Sequence, residues 1–227
     1  MSINSNVRKD RVDDKFFSAD PLVLAERLLG KRLNRVLGKS LLSGIIVEVE
    51  AYLAANDLAS HSSRGQTKSN KSMFAEPGTL YVYPIHSRHC LNIVCSPVGL
   101  GAAVLIRGLE PICGMVQMAA RRNLSDFDHS RVADLRSIGQ GPGRLCEALA
   151  INRRQDGIDL KTSTEIFLSN DASVTRREWK IRSSKRIGIS KAKDLEYRLF
   201  VDGNHFVSGC AREHSNGRSW RFADELA

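Results

Sequence analysis

The stretch GIIVEVEAYL, Gly44 to Leu53, restricts the fold of this chain more than any other. It is rich in β-branched residues and alternates as a strand does. Alternation puts Val47, Val49 and Ala51 on one face and Ile46, Glu48, Glu50 and Tyr52 on the other. The first is an ordinary core face. The second sets two carboxylates and a phenol beside a buried surface, and either solvent or chemistry must account for them.

The neighbouring segments limit what sheet this strand can join. In FFSADPLVLAERLLGKRL, Ser18 reads as a helix cap, Pro21 lies in the first turn, and Leu22, Leu24, Ala25, Leu28 and Leu29 form an apolar stripe. Strands are predicted near 79–84, 90–95 and 101–108, set off by EPGT and SPVGLG. A second helix is predicted in GLEPICGMVQMAARRN and a third in GPGRLCEALAI, before a last strand pair near 196–209. Strands and helices do not alternate regularly. The expected class is therefore α+β, a single compact domain with a mixed, mostly antiparallel curved sheet flanked by helices. Residues 1–14 are polar and read as a disordered tail, leaving 15–227 as the domain.

Composition bears on partners. The 227 residues suffice for one sizeable core. With 34 Lys and Arg against 25 Asp and Glu, the net charge is +9. That balance favours a polyanion such as nucleic acid or an anionic membrane surface, and residues 170–193 are densest in basic side chains. No run of about 18 apolar residues occurs, and the N-terminus lacks an apolar leader core. A soluble, intracellular protein is expected. The five cysteines form no CxxC pair and no zinc spacing, so reduced thiols are expected.

Glu48 and Glu50 have three readings. They can form an exposed salt-bridging face, serve as an acid and base pair of glycosidase type, or join Asp57 and His61 as hard metal ligands. Residues i and i+2 of a strand point in parallel with Cβ atoms about 6 to 7 Å apart, so they do not easily flank one bond from opposite sides. One working carboxylate is the better expectation. The metal spacing matches no defensible motif. Three of the four tyrosines, Tyr52, Tyr81 and Tyr83, fall in this strand and in GTLYVYPIH. They read as core aromatics or as walls of a flat slot suited to a planar, preferably cationic, base.

The run IIVEVEAYLAANDLASHSSRGQTKSNKSMFAEPGTLYVYPIHSRHCLN, followed by AAVLIRGLEP, GPGRLCEALAIN and RIGIS, resembles the alkyladenine, or 3-methylpurine, DNA glycosylase family from about residue 20 to 209. The resemblance implies a β-hairpin projecting into the minor groove, and neither metal nor organic cofactor. It implies that Glu50 activates water, that Arg107 helps place that water, and that Tyr52, His61 and Tyr83 enclose a flipped base. It also implies that Asn92 stands at the mouth of the pocket. The partner implied is double-stranded DNA containing damaged purines, met by a monomer associated with DNA in the cytoplasm, nucleoid or nucleus. Without the resemblance, His61 reads as a loop histidine, Arg107 as an ion-pair partner of Glu48 or Glu110, and Asn92 as a turn residue.

One segment departs from the family. Its hairpin pattern resembles YVYxxYGxxxCxN, whereas this chain has YVYPIHSRHCLN, one residue shorter, with His86 at the wedge position. Arg88 and His89 are the alternatives for filling the gap left by a flipped nucleotide. Hydrolysis at an N-glycosidic bond passes through a cation-like sugar, which one carboxylate can favour while it deprotonates water. A ring-alkylated purine leaves without being protonated, so Glu48 is expected to orient Arg107 or tune Glu50. No lysine in the strand motifs is placed as an amine nucleophile, and a monofunctional enzyme is expected. The rival classes are a noncatalytic nucleic-acid-binding member of the fold and a metal-dependent hydrolase.

Overall fold

The strand β2 (Ser40–Tyr52) is the spine of the molecule. The computed structural model describes residues 10–171, 179–210 and 218–219. Before β2 come helix α1 (Pro21–Leu28) and strand β1 (Arg32–Leu37); after it come β3 (Leu80–Ile85), β4 (Arg88–Val94) and β5 (Ala103–Cys113). Three short helices follow, α2 (Met115–Arg121), α3 (Val132–Gly139) and α4 (Pro142–Ala148). Strands β6 (Ile166–Ser169), β7 (Ile181–Ser184), β8 (Arg198–Val201) and β9 (Arg218–Ser219) complete the described strands.

These strands form one sheet in the order β3-β4-β5-β2-β8-β7-β9, with β1 pairing β2 and β6. Every pairing between them is antiparallel. One edge of β2 runs along β5. The other is shared, its first half going to β1 and its last residues to β8. The β2–β5 register shifts on both sides of Glu48, between Ile46 and Glu48 and again between Glu48 and Val49. Such bulges bend a strand and re-aim its side chains. At this bend Gly108 lies opposite Glu48, and a Cβ on it would fall 2.9 Å from the Glu48 Cβ. Only glycine leaves room for that carboxylate.

β2 is buried from Leu42 through Ala51 on both faces. The exposed salt-bridging reading of Glu48 and Glu50 therefore fails. Val47, Val49 and Ala51 join Leu24, Ala25 and Leu28 of α1 in the main apolar cluster, where cutting a leucine to alanine costs about 2–5 kcal/mol. On the sheet's outer reach Met73, Tyr81, Val94 and Ala103 form a smaller cluster, against which Tyr52, Phe74 and Tyr83 pack.

β3 ends the sheet, yet the outward backbone groups of Leu80 and Val82 are answered. The Asp156 carboxylate accepts from Val82 N–H at 2.8 Å and Arg153 donates to the Val82 carbonyl at 2.6 Å. Leu80 N–H donates to the Ile158 carbonyl at 2.7 Å and its carbonyl accepts from Gly157 N–H at 2.8 Å, both main-chain bonds.

Several sequence expectations are corrected. The cap of α1 is Asp20, whose carboxylate accepts from Leu22 N–H at 2.9 Å, whereas Ser18 closes a preceding 3-10 turn. Residues 108–113 are strand, because they pair with Ser43 to Glu48; α2 begins only after Gly114, which has φ 75°. Strands β1, β6 and β7 and helix α3 lack clear periodic signals and were not expected. Of the tail, residues 1–9 lie outside the described residues, but Arg11 bridges to Ser169 and Val12 N–H bonds the Leu168 carbonyl, so residues 10–12 are laid against β6. Within the basic stretch, 172–178 also lies outside the described residues.

Candidate active site

Glu50 is fully buried, and its carboxylate is held from three directions. Ile187 N–H donates to Oε1 at 2.7 Å, the Tyr52 hydroxyl donates to Oε2 at 2.9 Å, and Arg107 Nε stands 3.4 Å from Oε1. Burial raises the Glu50 carboxyl above the usual carboxylate range, while Arg107, the Ile187 amide and Tyr52 oppose that rise. The balance leaves the group a stronger base than an exposed carboxylate. Burial and then the Glu50 charge push the Tyr52 phenol well above its ordinary value, so it remains a donor.

Glu48 is equally buried but more completely engaged. Arg198 Nε lies 2.6 Å from its Oε1, Ser208 N–H 2.7 Å from Oε2, Ser208 Oγ 3.0 Å and Arg107 Nε 3.3 Å from Oε1. Two carboxylates and two guanidiniums therefore make a closed buried cluster. Burial works against the Arg107 charge, but Glu50 and then Glu48 outweigh it and raise its pKa. Arg107 is thus the ion-pair partner of Glu48 that the residues alone allowed, and a neighbour of Glu50 as well. Glu110 is elsewhere, accepting from Asn204 at 3.0 Å.

An aromatic wall stands beside Glu50. The His61 and Tyr83 ring centroids are 4.6 Å apart at 69°, and Tyr81 and Tyr83 are 5.4 Å apart at 33°. His61 Nδ1 lies 2.8 Å from the Tyr81 hydroxyl, and buried Asn70 holds the His61 carbonyl at 3.1 Å. One side of His61 is open to solvent, but the water it loses elsewhere, and then Arg64, push its pKa down. The ring is neutral at pH 7 and keeps both a donor and an acceptor. Asn92 lies on β4 opposite Tyr81, buried, and donates to the Tyr81 carbonyl at 3.0 Å; it is not a turn residue.

The β3–β4 hairpin turns on two residues, His86 and Ser87, between the paired Ile85 and Arg88. His86 sits at the apex with φ 50°, exposed. Ile85 is on the same face as Tyr83, two residues on, and is 43% exposed. Arg88 lies along Gly143 of α4, with Nε 3.4 Å from Glu147. His89 is half-buried, facing the other side.

A family model described as methylpurine-DNA glycosylase matches residues 15–205. The chain belongs to the methylpurine-DNA glycosylase family. A curated relative from Rhodopirellula baltica is 44% identical over 208 residues, covering 91% of this chain and 87% of its own. One from Koribacter versatilis is 44% identical over 196 residues, covering 86% and 91%, and one from Chlorobium phaeovibrioides is 42% identical over 201 residues, covering 88% and 97%. All three carry the provisional name 3-methyladenine DNA glycosylase.

Within this methylpurine-DNA glycosylase domain the structure gathers Glu50, Arg107, Tyr52, His61 and Tyr83 around one place. It does not gather the four hard ligands weighed above. Asp57 instead accepts two bonds from Arg186, at 2.6 and 2.7 Å, and Glu48 belongs to Arg198. Among the described residues no group of three His, Cys, Asp or Glu is arranged to hold a metal ion, and no helix is long and apolar enough to cross a membrane.

Sequence reasoning missed Arg186, Ile187, Arg198 and Ser208. Arg186 is buried, bonds the Ala51 carbonyl at 2.9 Å and lies 4.6 Å from the Tyr52 ring centre. The motif RIGIS by itself assigns no job to its arginine. Its job is to seat the segment whose next amide holds Glu50.

Proposed function

We propose that this chain is a monofunctional DNA glycosylase that turns an alkylated or deaminated purine, such as 3-methyladenine, out of duplex DNA and hydrolyses its N-glycosidic bond. The observation that carries the reading is the buried Glu50 carboxylate, held by Ile187 N–H and Tyr52 O–H beside Arg107, at the foot of the His61 and Tyr83 wall.

In this mechanism Glu50 accepts a proton from water as the water oxygen bonds to the anomeric carbon. The carbon–nitrogen bond breaks with its electron pair going to the base. A ring-alkylated purine then leaves neutral, and the product is an abasic site. The negative charge of Glu50 favours the developing sugar cation, and Arg107 orients the water and keeps Glu50 ionised. Tyr52, His61 and Tyr83 enclose the base, with Asn92 behind Tyr81 at the pocket's mouth. Neutral purines such as hypoxanthine need a proton to leave and are expected to be released more slowly. His86, at the hairpin apex, is the proposed wedge that fills the vacated stack, with Ile85 as its apolar neighbour. The basic surface contacts phosphates.

The test is strand cleavage at abasic sites formed on duplexes carrying 3-methyladenine, 7-methylguanine, hypoxanthine or ethenoadenine. Release of at least the alkylated bases in excess EDTA supports the reading. Binding to all four duplexes with no abasic product would leave a noncatalytic DNA-binding protein.

A further inference from the structure

In the ladder between β2 and β8, Arg198 is the register partner of Glu50. Its guanidinium nevertheless reaches along the strand to Glu48, at 2.6 Å. It is fully buried, with its other nitrogens on Ser184 Oγ at 2.9 Å and the Ser208 carbonyl at 2.8 Å. Ser208 completes the arrangement, giving Glu48 both its amide and its hydroxyl and accepting from Arg107 at 3.3 Å. Arg107 Nε is left almost equidistant between the two carboxylates, 3.3 Å from Glu48 and 3.4 Å from Glu50. Its longest share of Glu48 comes where three shorter bonds already satisfy that group.

We propose that Arg198 and Ser208 are positioning residues for base excision, closing on Glu48 so that the charge of Arg107 is available to Glu50. The inference rests on the role given to Glu50 above. The physical case is a competition. Two carboxylates two residues apart in a dry site cannot both stay ionised on one arginine. With Arg198 present Glu48 has a cation of its own, and Arg107 can be shared with Glu50. Without it Glu48 draws Arg107 away and its bare charge opposes ionisation of Glu50. The other groups facing Glu50 are Tyr52 on β2, Tyr83 on β3, Cys90 on β4 and Arg186 on the segment before β8. None of them touches Glu48 in place of Arg198.

The experiment is single-turnover excision of an alkylated purine from duplex DNA as a function of pH, for the parent and for Arg198→Met, Arg198→Met with Glu48→Gln, and Ser208→Ala. Circular dichroism confirms folding. In Arg198→Met the acid limb moves to higher pH by about one unit or more. Adding Glu48→Gln returns the limb towards the parent, because no stray charge remains. Ser208→Ala, which deletes one hydroxyl, moves it in the same direction by less and carries the test should Arg198→Met fail to fold. An unmoved limb in the folded variants overturns the proposal, as does a double variant whose limb stays with that of Arg198→Met. A parent chain that releases no base at any pH overturns the glycosylase reading itself, a distinct result.

Discussion

Arg186 meets Asp57 through two parallel bonds, at 2.6 and 2.7 Å, with both side chains wholly out of solvent. This pair ties the loop that carries His61 to the segment that carries Ile187. Burial alone would raise the Asp57 carboxyl, but the Arg186 bonds and the amides of Leu53 and Ala59 hold it below its usual range. Asp57→Asn leaves a buried guanidinium without its counter-charge, a loss of about 3–5 kcal/mol. A lowered folded-state pKa contributes stability that is present above the unfolded value and is lost as pH falls through the folded one. The urea midpoint of the parent should therefore drop on acidification below about pH 4, and less steeply in Asp57→Asn. Parallel curves for the two proteins would show that the pair contributes nothing to acid stability.

Glu50→Gln keeps the shape of the side chain and removes its basicity. Excision should fall by about 100-fold or more, with binding to lesion-containing duplex retained. Gel shifts and single-turnover cleavage separate the two. Near-parent turnover would move the base role to Glu48.

The acid limb of kcat/KM should lie above the ordinary carboxylate value of about 4.3, because burial raises Glu50 and only its ionised form accepts a proton. Arg107 lowers that value, so Arg107→Met should move the limb further up. A limb that stays in place, or moves down, would contradict Arg107 as the charge that keeps Glu50 ionised.

At the hairpin, His86→Ala should slow excision from duplex far more than from single strands, where no stack needs filling. Ile85→Ala is the informative comparison, since Ile85 shares the face of Tyr83 and is apolar. Transfer of the duplex-specific defect to Ile85→Ala would make that residue the wedge. Arg88→Ala should instead loosen the hairpin from α4.

DNA affinity should weaken steeply with salt. About five phosphate contacts correspond to a slope of log K against log salt near −4 to −5. Fluorescence anisotropy across a salt series measures it, and a flat response would exclude a backbone-dominated interface.

Much of the site was readable along the chain. Period-2 alternation put Glu48, Glu50 and Tyr52 on one face, and the bulges at Glu48 did not reverse it. The tyrosines of β3 were legible for the same reason. Arg186 was not, because a basic stretch reads as solvated or phosphate-facing charge until its partners are known, and Arg198, in the last strand region, carries no signal of a buried partner. Those partners, Asp57 and Glu48, lie 129 and 150 residues away. The segment 108–113 misled because its apolar spacing also suits a helix, and only pairing with β2 decides between the two. Short strands such as β6 and β7, four residues each, are too brief for periodicity to register.

The covering of β3 by Arg153 and Asp156 has a consequence for encounters between copies of the chain. An open outer strand would invite one copy of the chain to zip onto the next. Here the hydrogen-bonding groups of Val82 are already spoken for by side chains. Two copies of the chain that meet at this edge therefore find neither the N–H nor the carbonyl of Val82 open for strand pairing.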